Sequence, residues 1–202
     1  MYRFIKRFFD LTLSILLFIV ILPLFIALII LVRIKHGAPV FFQQKRSTRG
    51  GQSFGLLKFR TMTNEIDDNG NLFPDDKRVT KLGIWLRKTS LDELPELLNI
   101  IKGDMSIVGP RPLPVEYDTF YSEYEQGRFN VRGGLLPPEA LIENPTPTWD
   151  EQLALEAEYG RKCSFCLDCQ IFFKVFLLLF KRDRGDYGTY VRDTLINERK
   201  SK

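Results

Sequence analysis

Residues Leu11 to Val32 read LTLSILLFIVILPLFIALIILV, 22 consecutive positions without a charge and strongly apolar except at Thr12, Ser14, Pro23 and the small Ala27. At a helical rise of ~1.5 Å per residue the stretch is roughly 33 Å long, enough to match the hydrocarbon core of a bilayer. A secretory signal would carry a shorter apolar core and a small-residue cleavage site, whereas Arg33-Ile34-Lys35 follows here. The segment is therefore expected to remain as a membrane anchor. Pro23 stands at its midpoint, where it removes a helical hydrogen bond. Cations flank both ends, Arg3, Lys6 and Arg7 before and Arg33 and Lys35 after. Because positive residues favour the cytoplasmic side, a helix that enters, bends at Pro23 and returns satisfies both features. An ordinary spanning helix with a proline kink is the alternative.

The 202 residues leave room for one domain behind this anchor, and 45% hydrophobic content with 17 Phe supplies its core. Lys and Arg number 29 against 25 acids. From Arg33 onward the counts are 26 and 24, so nucleic-acid binding is not expected. His36 is the only histidine, which excludes an HExxH zinc site, a histidine-based triad and a two-histidine acid–base pair. Chemistry would rest on carboxylates, lysine, arginine or a bound metal. Cys163, Cys166 and Cys169 are an odd number within seven residues, which is no secreted disulfide framework and points to a reducing, cytoplasm-facing location. The fourth position of a ferredoxin-type run is Phe173, so the cysteines read as packing positions on a helix.

After the anchor, Val40 to Gln44 reads as a strand, Arg49-Gly50-Gly51 as a turn and Phe54 to Arg60 as the returning strand. On that strand Lys58 and Arg60 share one face, Leu57 and Phe59 the other. Asp67 to Asn71 is turn-forming but lacks the spacing and closing Glu of a calcium loop. Thr80 is placed to cap a short basic helix ending near Lys88, and Ser90 a second one ending near Lys102, with Gly103 as its stop. Met105 to Val108 reads as a strand, Gly109 to Pro112 as a rigid loop, Asp118 to Arg128 as a helix, 133–149 as irregular and Asp150 to Arg161 as a helix. The apolar run Ile171 to Phe180 is too short to span and reads as a core or interfacial helix, with Lys174, Lys181 and Arg182 placed to reach headgroups.

Ser90-Leu91-Asp92-Glu93 fits a capping box, Glu93 bonding back to the Ser90 amide. The same geometry also offers phosphate a helix N-terminus with free amides. A carboxylate held there could attack phosphorus while its neighbour binds Mg²⁺ shared with substrate phosphates. Lys58, Arg60, Arg87, Lys88 and Arg111 lie at element ends or on one strand face, and Arg111 is fixed between two prolines. Guanidinium groups bond phosphate bidentately. Cations beside two acids, with no histidine at hand, point to phosphoryl chemistry near a membrane.

Taken together, Lys58-Phe59-Arg60-Thr61-Met62, Ser90 to Leu97, Lys102-Gly103-Asp104-Met105-Ser106 and Gly109-Pro110-Arg111-Pro112 resemble the bacterial sugar transferase family, the small monotopic phosphoglycosyl transferases. The resemblance resumes at Trp149 and at Phe165-Cys166-Leu167-Asp168. It implies an α/β fold (α+β, helix-rich) with a re-entrant helix anchor at 1–33, an interfacial catalytic domain at 34–182 and a basic tail at 183–202. It further implies that Asp92 attacks the β-phosphate of a UDP-sugar and that polyprenyl (undecaprenyl) phosphate then takes the sugar phosphate. Glu93 would bind Mg²⁺, Lys58, Arg60, Arg87 and Arg111 would neutralise phosphate, and Asp168 corresponds to a further acid near the site. The expected partners are the UDP-sugar, the polyprenyl phosphate and membrane phospholipid, without nucleic acid; a homodimer is left open. The expected location is the bacterial cytoplasmic membrane, with the catalytic domain on its cytoplasmic face.

The chain departs from the family where a Ser-Pro break is replaced by Leu22-Pro23, and where Pro-Gly-Ile-Thr-Gly is replaced by Gly133-Gly134-Leu135-Leu136-Pro137. In register, the family's Asn-Gly-Arg-Asn loop becomes Ile142-Glu143-Asn144-Pro145, putting Asn144 where a substrate-binding arginine often stands. Two rival readings are a membrane-anchored adaptor, in which Asp92 and Glu93 only cap a helix, and a nucleotide-sugar diphosphate hydrolase.

Overall fold

The computed structural model describes residues 2–67, 69–142, 147–181 and 193–200. The anchor stretch lies within one helix, α1 (Tyr2–His36), whose helical assignment continues through Pro23. Asp10, Ser14, Phe18, Ile21, Phe25, Leu28 and Val32 pack inward, at the three- and four-residue spacing of a single helical face. Leu16, Ile19, Val20 and Ile26 on the other faces are exposed, and only 17% of the most apolar window is buried in the fold. Water does not tolerate so large a contiguous apolar surface. α1 is a membrane-associating helix rather than a core helix.

Both ends of α1 are tied to the same folded unit. At the first turns Tyr2 donates to Asp168 Oδ2 (2.5 Å), Lys6 pairs with the same carboxylate, and Arg7 donates to the Ile100 and Ile101 carbonyls at 2.6 and 2.9 Å. At the last turn the ring nitrogens of His36 lie 2.8 Å from Arg60 O and 2.6 Å from Thr80 Oγ1. A carbonyl can only accept, so Nδ1 carries the proton and Nε2 accepts the threonine hydroxyl.

The expected hairpin is present as β1 (Phe41–Ser47) and β2 (Ser53–Phe59), antiparallel, with Phe41 opposite Phe59 and Phe42 opposite Lys58. Gly50 and Gly51 in its turn have φ of 69° and 70°, a conformation that favours glycine. The pleat separates two jobs. Phe41 and Phe59 stack with ring centres 5.4 Å apart and lean on Phe25 of α1, while Phe42, Gln44, Arg46 and Lys58 face a cleft.

A single turn, α2 (Asp75–Arg78), precedes α3 (Lys81–Thr89), whose Thr80 cap accepts from the Gly83 amide at 2.9 Å as expected. The helix expected from Ser90 to Lys102 is not continuous. Ser90 is left-handed (φ 56°) without a side-chain cap bond, Leu91–Glu93 form a 3-10 turn, and α4 spans Glu96–Lys102. Pro95 lacks an amide donor and suits the entry to a helix, so the regular hydrogen bonding begins after it. Gly103 ends α4 as expected, left-handed at φ 102°. A capping box does form, but between Thr148 and Glu151 at the start of α5 (Trp149–Lys162).

β3 (Met105–Val108) pairs in parallel with β4 (Gly133–Leu136), inside the stretch expected to be irregular. Gly133 and Gly134 look like chain breakers, yet a Cβ on Gly134 would stand 2.1 Å from the Gly109 amide nitrogen. Here glycine permits the close backbone approach that the strand pair needs. The helix expected at Asp118 to Arg128 is replaced by two 3-10 segments, Val115–Phe120 and Glu125–Asn130, with Tyr121 extended between them. Arg128 donates to Tyr121 and, at 2.6 Å, to Arg111 O, and pairs with the fully buried Glu156 at 2.9 Å. Those bonds hold the segment against α5 in place of helical ones.

α6 (Phe165–Lys181) buries Ile171 but exposes Phe172, Phe173, Phe176 and Leu177, the pattern of an interfacial helix. Within the 183–202 tail, α7 (Leu195–Lys200) buries Leu195 beside Trp149 and Leu153, and Arg199 pairs with Glu125 and Asp150. The expectations placed on Asn144 and Arg182 fall outside the described residues.

Candidate active site

Between the outward face of the hairpin, the end of α3 and the Ser90–Glu93 turn lies a cleft of about 520 Å³. It gathers Lys58, Arg60, Arg87, Asp92, Glu93 and Arg111, six of the residues singled out from the sequence, and adds Arg46 and Arg78. Asp168 does not line it. That carboxylate is 9% exposed and takes hydrogen bonds from Tyr2 and Tyr159, both at 2.5 Å, beside its pair with Lys6. In this fold Asp168 fastens the start of α1 to α5 and α6.

The chain reaches the acids through Ser90, the only non-glycine residue with positive φ among the described residues. Strain of this kind costs on the order of 1 kcal/mol and persists where surrounding structure enforces it. Asp92 is 9% exposed. Burial raises its carboxyl above the usual range, Lys58 opposes that shift and Glu93 adds to it.

Glu93 Oε1 lies 2.6 Å from Lys58 Nζ and 3.6 Å from an Arg111 terminal nitrogen. Lys58 also reaches Glu96 Oε1 at 3.3 Å. Burial pushes the Glu96 carboxyl up to about 7, against the pull of Lys58. Glu96 was absent from the sequence-based set, although it follows Asp92 by four residues and Glu93 by three, the spacing of one helical face. Arg46 was also missed. Strand alternation alone puts it on the face of Gln44, but the register that turns this face toward Lys58 is visible only in the pairing.

Three of the remaining cations are held by neutral groups, while Arg78 pairs with Asp75 at 3.4 Å. Arg87 Nε donates to Thr61 Oγ1 at 3.0 Å and Arg60 to Ala38 O at 3.0 Å. Arg46 donates to Pro112 O at 3.3 Å and Gln44 Oε1 at 2.7 Å. Arg46 and Arg60 each retain a buried Nε without a hydrogen-bond partner. Six cations and two acids line the cleft, so its walls demand anionic charge and have donors to offer it. Behind Arg111, burial and the Glu156 carboxylate push Glu139 up to about 8, with Arg111 opposing.

The donor set fits Mg²⁺ of the kind held mostly by water and substrate phosphate. Such an ion needs one or two protein carboxylates, and Glu93 offers a partly exposed one on the cleft wall beside buried Asp92. The Glu96 carboxyl stays high because burial, with Glu93 beside it, outweighs the pull of Lys58 and Arg111.

A family model described as bacterial sugar transferase matches residues 1–182. The chain is 44% identical over 167 residues to a protein named uncharacterized sugar transferase EpsL from Bacillus subtilis, covering 83% of each. It is 36% identical to the exopolysaccharide production protein ExoY of Sinorhizobium fredii, covering 84% of this chain and 82% of that one. A UDP-glucose:undecaprenyl-phosphate glucose-1-phosphate transferase of Caulobacter vibrioides is 34% identical over 191 residues, covering 89% of this chain and 71% of that one.

Proposed function

The chain belongs to the bacterial sugar transferase family, and we propose that it moves a sugar 1-phosphate from a UDP-sugar to undecaprenyl phosphate through a covalent intermediate on Asp92. The observation that carries the reading is the cleft itself: a strained turn that carries buried Asp92 and partly exposed Glu93, in a cleft lined by six cationic side chains. The Asp92 carboxylate attacks the β-phosphorus, and the bond from that phosphorus to the bridging oxygen breaks. UMP leaves with the electron pair and the sugar phosphate remains on the aspartate. A phosphate oxygen of the lipid acceptor then attacks the same phosphorus and releases the carboxylate. Two displacements let one pocket serve a soluble donor and a membrane-bound acceptor in turn.

Burial of Asp92 strips water from the attacking oxygen, and Lys58 keeps an ammonium beside it to favour the ionised form. Arg46, Arg60, Arg87 and Arg111 supply the preorganised positive wall that phosphoryl transfer requires. Mg²⁺ on Glu93 would neutralise diphosphate charge when bound.

A re-entrant anchor with both ends on the cytoplasmic face is supported by the two ends of α1. Lys6 and Arg7 at one end and His36 at the other all contact the unit that carries the cleft. A helix crossing the bilayer would hold one end away from that unit. The decisive assay offers a panel of UDP-sugars and follows UMP release with and without polyprenyl phosphate. The transferase releases about one equivalent without the lipid and turns over with it. A hydrolase turns over in both arms, and an adaptor in neither.

A further inference from the structure

Away from the cleft, Arg3, Arg7, Arg49 and Arg132 gather in a shallow pocket at the first turns of α1. Lys6 on its wall is neutralised by Asp168. Asp10, the one acid of the lining, already accepts from Ser106 Oγ at 2.7 Å and from the Ile107 amide at 3.1 Å. Among the described residues none of the four arginines has a carboxylate at ion-pair distance. They touch carbonyls instead: Arg7 those of Ile100 and Ile101, Arg132 that of Gly103 at 2.7 Å, Arg3 that of Gly160 at 3.4 Å. Arg49 is exposed and makes no side-chain hydrogen bond among the described residues. Burial, then Arg7 and Arg49, hold the Arg132 guanidinium below the usual arginine range, with Asp10 and Asp104 opposing only in part. Like charges so close call for a counter-anion.

The pocket is open, and its recessed part of about 20 Å³ has room for a water or one phosphate oxygen. Lys6 and Asp10 also form the edge of an apolar groove of about 260 Å³ between α1 and α6, walled by Phe9, Leu13, Phe165, Phe172 and Phe173. Positive charge and hydrocarbon-lined space therefore adjoin at the level where the uncharged run of α1 begins. We propose that Arg7, Arg49, Arg132 and the α1–α6 groove together bind one anionic phospholipid of the surrounding bilayer, its phosphate at the arginines and an acyl chain in the groove. This lipid is resident rather than reacting. Neither pocket shares a lining residue with the cleft, so a phosphate seated here is not presented to Asp92.

The test uses the full chain in neutral detergent, with native mass spectrometry and thermal melting as readouts. The probes are phosphatidylglycerol, phosphatidylcholine of the same acyl chains, inorganic phosphate and polyprenyl phosphate. The expected result is one phosphatidylglycerol retained per chain with a raised melting temperature, and weak retention of phosphatidylcholine. Joint Arg49→Gln and Arg132→Gln substitution weakens phosphatidylglycerol binding by about tenfold or more, the equivalent of one charge-assisted hydrogen bond. Arg49→Gln alone gives a smaller loss at an exposed position where folding is not in question, and Phe172→Asp weakens binding with the arginines intact. Equal phosphatidylglycerol binding by the wild type and the double variant overturns the proposal, as does equal retention of phosphatidylcholine. Stabilisation by inorganic phosphate alone would make this a free-anion site. Displacement of phosphatidylglycerol by equimolar polyprenyl phosphate would make it an acceptor site. Either outcome overturns a resident phospholipid without touching the transferase reading, which the UMP assay decides.

Discussion

Asn99 holds the Leu57 amide at 3.0 Å with its Oδ1 and donates from Nδ2 to Gly55 O at 2.9 Å. One buried side chain thereby fastens α4 to the strand that carries Lys58, and sets the distance from Lys58 to Glu93 and Glu96. Asn99→Ala leaves a buried amide and a carbonyl unpaired, at a cost of about 2–4 kcal/mol. Thermal melting reads the loss. Turnover falls as well, because the Lys58 ammonium and the acids are no longer held to one another.

Glu96 gives a pH dependence of defined sign. Its carboxyl is at about 7 in the fold against 4.5 ordinarily. Between those values the folded state holds a proton that the unfolded chain has released, so folding stability falls as pH rises through this window. Glu96→Gln abolishes that slope. It raises stability at pH 8 by on the order of 2 kcal/mol and changes it little near pH 4, as melting curves across the range will show.

Glu93 and Asp92 separate by what they do. Glu93→Gln raises the Mg²⁺ concentration needed for half-maximal UMP release and leaves residual turnover. Asp92→Asn removes the nucleophile and lowers turnover by at least about a thousandfold. Equal loss in both variants, with no change in Mg²⁺ demand, contradicts the division of roles.

The anchor geometry is tested by cysteine labelling. Phe4 and Lys35 are exposed near opposite ends of α1, and Phe4→Cys and Lys35→Cys are made with Cys163, Cys166 and Cys169 changed to serine. Neither position is labelled from outside intact cells if the helix returns to its own side. Labelling at Phe4→Cys alone means that it crosses.

Much of this was legible in the chain because local rules agreed with tertiary packing. The hairpin followed from alternation and two glycines, the stop at Gly103 from its left-handed conformation, and the cations of the cleft from their places at element ends. The capping box at Ser90 was a sound local pattern that lost to strain. The fold turns Ser90 left-handed and draws Glu93 to Lys58, so that the acids face a cleft. β4 was hidden because glycine signals breakage locally, while here it allows contact with Gly109. Arg46 depended on register, which no single strand contains. The position of Asp168 depended on how α1 lies against α5 and α6.

The most direct measurement is rapid quenching of donor-treated protein followed by peptide mass spectrometry. The account predicts a sugar phosphate on the peptide containing Asp92, which disappears on adding polyprenyl phosphate and is absent from Asp92→Asn. Turnover of UDP-sugar with no adduct on that peptide at any quench time would contradict it.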